Sequence, residues 1–227
     1  MTTTRHKCLV LAILGLVPVT GFPAGGHYVV DDTEVTAHGQ IAFEGWYSRQ
    51  SGGNDTRAAA LAYGVHPGRE IALEGERERA DGVDRDLVGV TGKWTLADAA
   101  ERDLGVAVAG GVFMDPDTDR VREAELFFPV DVPMADGRAM FRYNLGWSHQ
   151  RDADDRDVAT WGFGGEVALF PAVSAIAEIY GDQRDRTEVQ SGLRVSLAGR
   201  ADLDVGYGWE RRAPDTNWWT VGVATAF

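Results

Sequence analysis

Trp219-Thr220-Val221-Gly222-Val223-Ala224-Thr225-Ala226-Phe227 is the stretch that decides the fold. Its odd positions are mostly apolar or aromatic and its even positions are small, the period of two that marks a strand with two unlike faces. A strand that closes a chain on an aromatic residue is the kind of ending that the barrel assembly machinery of a bacterial outer membrane reads, so Phe227 is the expected assembly signal. The reading to test is that the residues before it form the rest of a barrel.

The opposite end agrees. Arg5, His6 and Lys7 precede an apolar run over 8–17 that is too short to span a bilayer as a helix, and Pro18 breaks it. Residues 1–24 read as a signal peptide, with cleavage after Gly21 or Ala24. Cys8 is the only cysteine, which leaves the mature chain without disulfides or thiolate metal sites. No later stretch approaches ~18 consecutive apolar residues, the length of a membrane-spanning helix. The mean hydropathy of −0.22 fits a soluble protein equally well, because a barrel strand is apolar on one face only.

The formal charge of −13 becomes −15 once Arg5 and Lys7 leave with the signal peptide. That balance argues against nucleic acid, which wants a basic footprint. Lys93 is then the only lysine. Acidic outer loops fit solubility and mutual repulsion, or divalent cations beside lipopolysaccharide.

From Gly39 onward a unit repeats: about ten alternating residues, a turn, then ten more. About twelve such segments are expected, at 39–50, 57–66, 70–79, 86–95, 103–114, 121–130, 138–149, 157–170, 173–182, 187–197, 201–211 and 217–227. Strands near ten residues suit a tilted crossing, and an even number suits a bacterial barrel. The expected fold is therefore an all-β, antiparallel, up-and-down transmembrane barrel over 39–227. Residues 25–38 are read as a short periplasmic segment.

The connections fall into two alternating classes. Those at 66–69, 96–102, 131–137, 170–172 and 198–200 include several tight turns and form the expected periplasmic set. Those at 51–56, 80–85, 115–120, 150–156, 181–186 and 212–216 are rich in Asp, Arg, Gly and Asn and form the expected outer set. Trp46, Trp147, Trp161, Trp209 and Trp219 cluster at the outer strand ends and Trp94 at the periplasmic end, as interfacial girdles would.

Period two also assigns faces. Leu203, Val205, Tyr207 and Trp209 point to lipid, while Asp202 and Asp204 point inward. The same phasing puts Glu44, Glu74, Glu76, Glu123, Glu125, Glu166 and Glu178 in the lumen, with Lys93, Arg142 and Arg194 as inward cations. Gly and Ala on the inward faces of several strands would leave room for water. These residues fit a water-filled, charge-lined constriction or a closed barrel whose charges pair internally; about twelve strands do not decide between them.

Catalytic signatures are thin, and no enzyme is expected. Ser148 and His149 are adjacent, so on a strand they face opposite ways and cannot form the hydrogen bond that activates a nucleophile. An outer-membrane hydrolase is the weakest reading. His27 and His38 flank Asp31, Asp32 and Glu34 at spacings that match no established metal motif, and no metal or other cofactor is expected.

Val30-Asp31-Asp32-Thr33-Glu34-Val35 with Gly39-Gln40-Ile41-Ala42-Phe43-Glu44, and toward the end Ala177-Glu178-Ile179-Tyr180-Gly181, Gln190-Ser191-Gly192-Leu193-Arg194, Leu203-Asp204-Val205-Gly206-Tyr207-Gly208 and Asp215-Thr216-Asn217-Trp218, carry a resemblance. They resemble outer-membrane barrels of the "MetA pathway of phenol degradation" type, also described as transporter-like. The resemblance covers mainly the two ends of the mature chain. It implies a porin-like barrel in the outer membrane of a Gram-negative bacterium that passes small solutes, organic compounds among them. It supplies no catalytic residues. The excess of inward acids adds an expected preference for cations.

Overall fold

Twelve strands form where the sequence alternates, and each turn falls where glycine, proline or aspartate interrupts the alternation. The computed structural model describes residues 28–80, 82–153, 156–184 and 186–227. The signal peptide read at 1–24 lies outside the described residues. The strands are β1 (Ile41–Gln50), β2 (Asp55–His66), β3 (Arg69–Ala80), β4 (Val83–Ala97), β5 (Gly105–Asp115), β6 (Arg120–Met134), β7 (Ala139–Gln150), β8 (Asp157–Phe170), β9 (Val173–Asp182), β10 (Thr187–Leu197), β11 (Ala201–Glu210) and β12 (Asn217–Ala226). Each pairs antiparallel with its sequence neighbours, and β1 pairs with β12 to close the barrel. Ile41 and Phe227 complete that seam by exchanging two backbone hydrogen bonds of 2.9 Å.

The barrel is apolar outside and polar inside. Leu73, Leu145 and Val205 are 61, 59 and 59% exposed, whereas Asp202, Asp204, Glu178, Lys93 and Arg194 are buried. A protein surrounded by water would reverse this. In a bilayer the outer belt dissolves in hydrocarbon, and every strand edge must be paired because lipid offers no hydrogen bonds. The protein is an outer-membrane β-barrel.

Three connections differ from the sequence reading: the loop expected at 80–85 is shorter, because β4 already begins at Val83, and two of the expected periplasmic set change as follows. The turn expected at 131–137 begins later, because β6 runs on to Met134 and the reversal uses Ala135, Asp136 and Gly137, all with positive φ. Asp131 is thereby an inward strand residue, opposite Arg142. Between β4 and β5 the chain forms one helical turn, α1 (Ala99–Arg102), capped by the Asp98 side chain, which accepts from the Ala100 N–H at 2.8 Å.

Sidedness is open to a direct measurement. Single cysteines at Asn54, Asp117 and Asp215 are expected to react with an impermeant maleimide on intact cells, and cysteines at Gly68 and Gly199 to stay unlabelled. The reverse pattern would invert the topology.

Candidate functional site

The residues preceding β1 enter the barrel. The sequence reading placed 25–38 in the periplasm, but Tyr28, Val30, Asp32, Thr33 and Thr36 are buried inside the wall. The physical reason is that the lumen offers this polar segment a partner at almost every step. The Glu178 carboxylate accepts from the N–H groups of Val29 and Val30 at 3.0 and 3.1 Å. Lys93 donates to Asp31 at 2.9 Å and lies 3.5 Å from Asp32. Asn144 brackets Asp31, its amide oriented to donate to the Asp31 carbonyl and accept from the Asp31 N–H. Asp131 accepts from both the N–H and the hydroxyl of Thr33, at 2.9 and 2.8 Å. Glu70 accepts from the Thr36 N–H at 2.6 Å.

Missing side chains make the seat. A Cβ on Gly64 of β2 would lie 2.2 Å from the Ala37 carbonyl oxygen, where the segment leaves the lumen. A Cβ on Gly105 of β5 would lie 2.4 Å from the Thr33 hydroxyl. The inward glycines expected to leave room for water are in these places filled by the chain itself.

The three inward cations singled out from the sequence sit in this layer and are ion-paired. Lys93 holds Asp31 and Asp32. Arg142 contacts Glu166 at 3.2 Å and Asp131 at 3.7 Å. Arg194 forks onto Asp204 at 2.9 and 3.1 Å and approaches Glu166 at 3.7 Å. Asp202 accepts from the Ser196 hydroxyl at 2.6 Å. Glu166, Glu178, Asp202 and Asp204 thus belong to a hydrogen-bonded belt around the segment rather than to an open pore wall.

The remaining sequence-selected acids share a different space. Glu44, Glu74, Glu76, Glu123 and Glu125 line a cavity of about 660 Å³, bounded on another side by Tyr28, Val29 and Asp31 of the inserted segment. The Thr91 hydroxyl donates to Glu74 at 2.8 Å. Among the described residues, no lysine or arginine forms an ion pair with these five glutamates.

The aromatic residues sort mostly as expected from the phasing. Trp94, Trp147 and Trp219 are exposed on the outer face. Trp161 packs on outward Phe163, and Trp209 on outward Tyr207. Trp46 is the exception. It shares the parity of Glu44 and Ser48 and lines the cavity, so it is a lumen residue and not part of the girdle. Its neighbour Tyr47 takes the outward position, ring against Trp219. Trp218 also turns inward and donates to Gln190 at 2.8 Å. Ser148 lines the cavity, while His149 lies by outward Trp147 and meets Asp157 at 2.9 Å.

Removing one member of a buried ion pair typically costs about 3–5 kcal/mol, because its partner keeps the burial and loses the attraction. Lys93→Met is therefore expected to unseat the inserted segment. Hydrogen exchange at the Val29, Val30 and Thr33 amides should accelerate at least ten-fold, with strand amides of β9–β11 unchanged. Gly64→Ala should do the same at the exit, where the clash is with backbone. Unaltered protection in both variants would show that the segment is held by something else.

The same architecture recurs in solved structures of very different sequence. The KdgM porin, solved in complex with disordered oligogalacturonate, is 9% identical over 82% of this chain and 99% of its own, with a TM-score of 0.65. The NanC porin is 11% identical over 82% and 98%, TM-score 0.61. The COG4313 outer membrane channel from Pseudomonas putida F1 is 10% identical over 86% and 98%, TM-score 0.59. At these identities the likeness is one of fold. No curated protein matches in sequence. A family model matches residues 12–227, nearly the whole chain, and by it the protein belongs to the family described as uncharacterised conserved protein UCP029691.

Proposed function

We propose that the protein is a porin-like channel for the passive passage of small solutes, with a preference for cations. One observation carries the reading: Lys93, Arg142 and Arg194 are held in ion pairs around the inserted segment, while five glutamates line the cavity and outnumber the arginines near it, Arg85, Arg184 and Arg186. A water-filled space lined by an excess of one sign of charge concentrates the opposite ion. The porin likeness of the fold supports passage; small organic compounds as solutes rest only on the resemblance of the two chain ends to the phenol-degradation barrels, a different family from the one whose model matches. The reading is non-enzymatic, with Phe227 the signal for the assembly machinery and lipopolysaccharide the surrounding lipid.

The inserted segment favours a second reading, a closed barrel with a structural or interaction role. Its hydrogen bonds span from β3 to β9 and fill one part of the lumen.

Planar-bilayer recording separates the two. The channel reading expects a cation-selective reversal potential in a salt gradient, strongest at low salt, where the Debye length reaches ~30 Å. Glu74→Gln with Glu76→Gln should lower the cation-to-anion permeability ratio at least two-fold. Asp204→Asn should act on stability instead, since it strands Arg194. Folded protein that never conducts would favour the closed barrel.

A further inference from the structure

The outward face of β2–β4 carries a group of arginines at the edge of the lipid belt, in a protein that is otherwise strongly acidic. Arg57, Arg77 and Arg79 have side chains 65, 58 and 55% exposed, so they are open to whatever surrounds the barrel. Arg57 stands opposite Tyr47 on one side and Arg77 on the other. Tyr47 packs on Trp219, which stands opposite Tyr207. The arginines therefore lie level with the outer aromatic girdle, where lipid headgroups begin. Like charges directly opposite on neighbouring strands repel, so the Arg57–Arg77 pairing is unfavourable unless an anion bridges it.

Three aspartates match the three arginines in charge but leave Arg57 loosely held. Asp86 takes two N–H groups of Arg77 at 2.6 and 2.5 Å, and Asp84 two of Arg79 at 2.7 and 3.1 Å. Arg57 reaches Asp55 only at 3.4 Å and leans over the Tyr47 ring. Each guanidinium has five donors in a planar fork suited to phosphate, so donors remain. Between the side chains of Asp55, Arg57, Arg77, Arg79 and Asp84 is a pocket of about 110 Å³, the room of a few water molecules at ~30 Å³ each. Toward the membrane centre the next outward row is small: Ala59 opposite Gly75, where an added Cβ would meet nothing within 4 Å. Below it Leu61, Leu73 and Val90 are exposed and apolar. Charge, notch and apolar column follow one another in the order of a phosphorylated glycolipid: phosphate, sugar, acyl chains.

We propose that this face is a binding site for the phosphorylated glycolipid of the outer leaflet, the lipid A part of lipopolysaccharide, with Arg57 and Arg77 holding one phosphate. The site is separate from the lumen. It depends on outer-membrane residence and on the sidedness that cysteine labelling tests, but not on whether the barrel conducts.

The test uses the full-length folded barrel in detergent, with native mass spectrometry as the readout. One molecule of diphosphorylated lipid A is expected to be retained per barrel, and enzymatically dephosphorylated lipid A at least ten-fold less. The R57Q/R77Q double variant should lose that preference for the phosphorylated form, while R57K/R77K keeps most of it. Folding is checked by faster migration of the unboiled protein on a gel. The single R57Q variant, which breaks only the 3.4 Å contact to Asp55 and the contact with the Tyr47 ring, carries the same expectation if the double variant fails to fold. Equal retention of the two lipid forms by the wild type, or an unchanged preference in the folded glutamine variants, would overturn the proposal and leave the arginines as partners of their aspartates alone.

Discussion

Hydrocarbon cannot accept or donate a hydrogen bond, and the rest of this structure follows from that constraint. An unpaired strand edge in lipid would leave a row of peptide groups unsatisfied at several kcal/mol each, so β1 must meet β12. Closure in turn divides the side chains into two populations. Those pointing out must be apolar except at the headgroup level, which is where Arg57, Arg77 and Arg79 are found. Nearly all other charge on the strands is forced to the ends or into the lumen, where acids outnumber bases.

An acidic interior needs donors, and three cations do not suffice. The chain supplies more by folding its own start into the barrel. Four of the contacts that hold it are backbone N–H groups, at Val29, Val30, Thr33 and Thr36, donating to Glu178, Asp131 and Glu70. Backbone donors carry no charge that must itself be desolvated, so they solvate buried carboxylates at lower cost than extra lysines would. The aspartates that the segment brings are met by Lys93. The layer is thus close to self-sufficient, and the glutamates on β1, β3 and β6 are left to set the potential of the cavity.

Strand number, closure and facing were legible in the sequence because period two is a local property. Leu203 to Trp209 can be assigned to lipid, and Asp202 and Asp204 to the interior, without knowing any partner. The inserted segment was not legible. Tyr28 to Thr36 has no long alternation, and its seat is assembled from residues as distant as Glu178. A signal was present nevertheless. Glycines such as Gly105 and Gly162 stand on inward faces, and open space for water and a docked chain call for the same small residues. Trp46 was misread for a related reason. At a strand end a tryptophan suits either the interface or a lumen wall, and the Trp46–Tyr47 pair offers an aromatic residue to both faces; only the parity with Glu44 and Ser48 separates them.

The wiring of the seat also fixes an order of events. Val30 is joined to Glu178 across 148 residues and Thr33 to Asp131 across 98, so neither bond can form until most of the sheet exists. Loop closure over such separations must be compensated by contacts already made, and the only contacts available earlier are the hairpins between neighbouring strands. Gly64, which lets the chain cross β2 on its way inward, belongs to the second strand and is in place early. The carboxylates at Asp131 and Glu178 come later. Seating of residues 28–36 therefore follows barrel formation. Until it does, Lys93, Glu70 and Glu178 lack their partners on the segment, while the Arg194–Asp204 and Arg142–Glu166 pairs between strands already stand. The segment is a late addition to a barrel that already holds itself closed, and its energetic role is to supply hydrogen-bond donors to buried carboxylates rather than to define the wall.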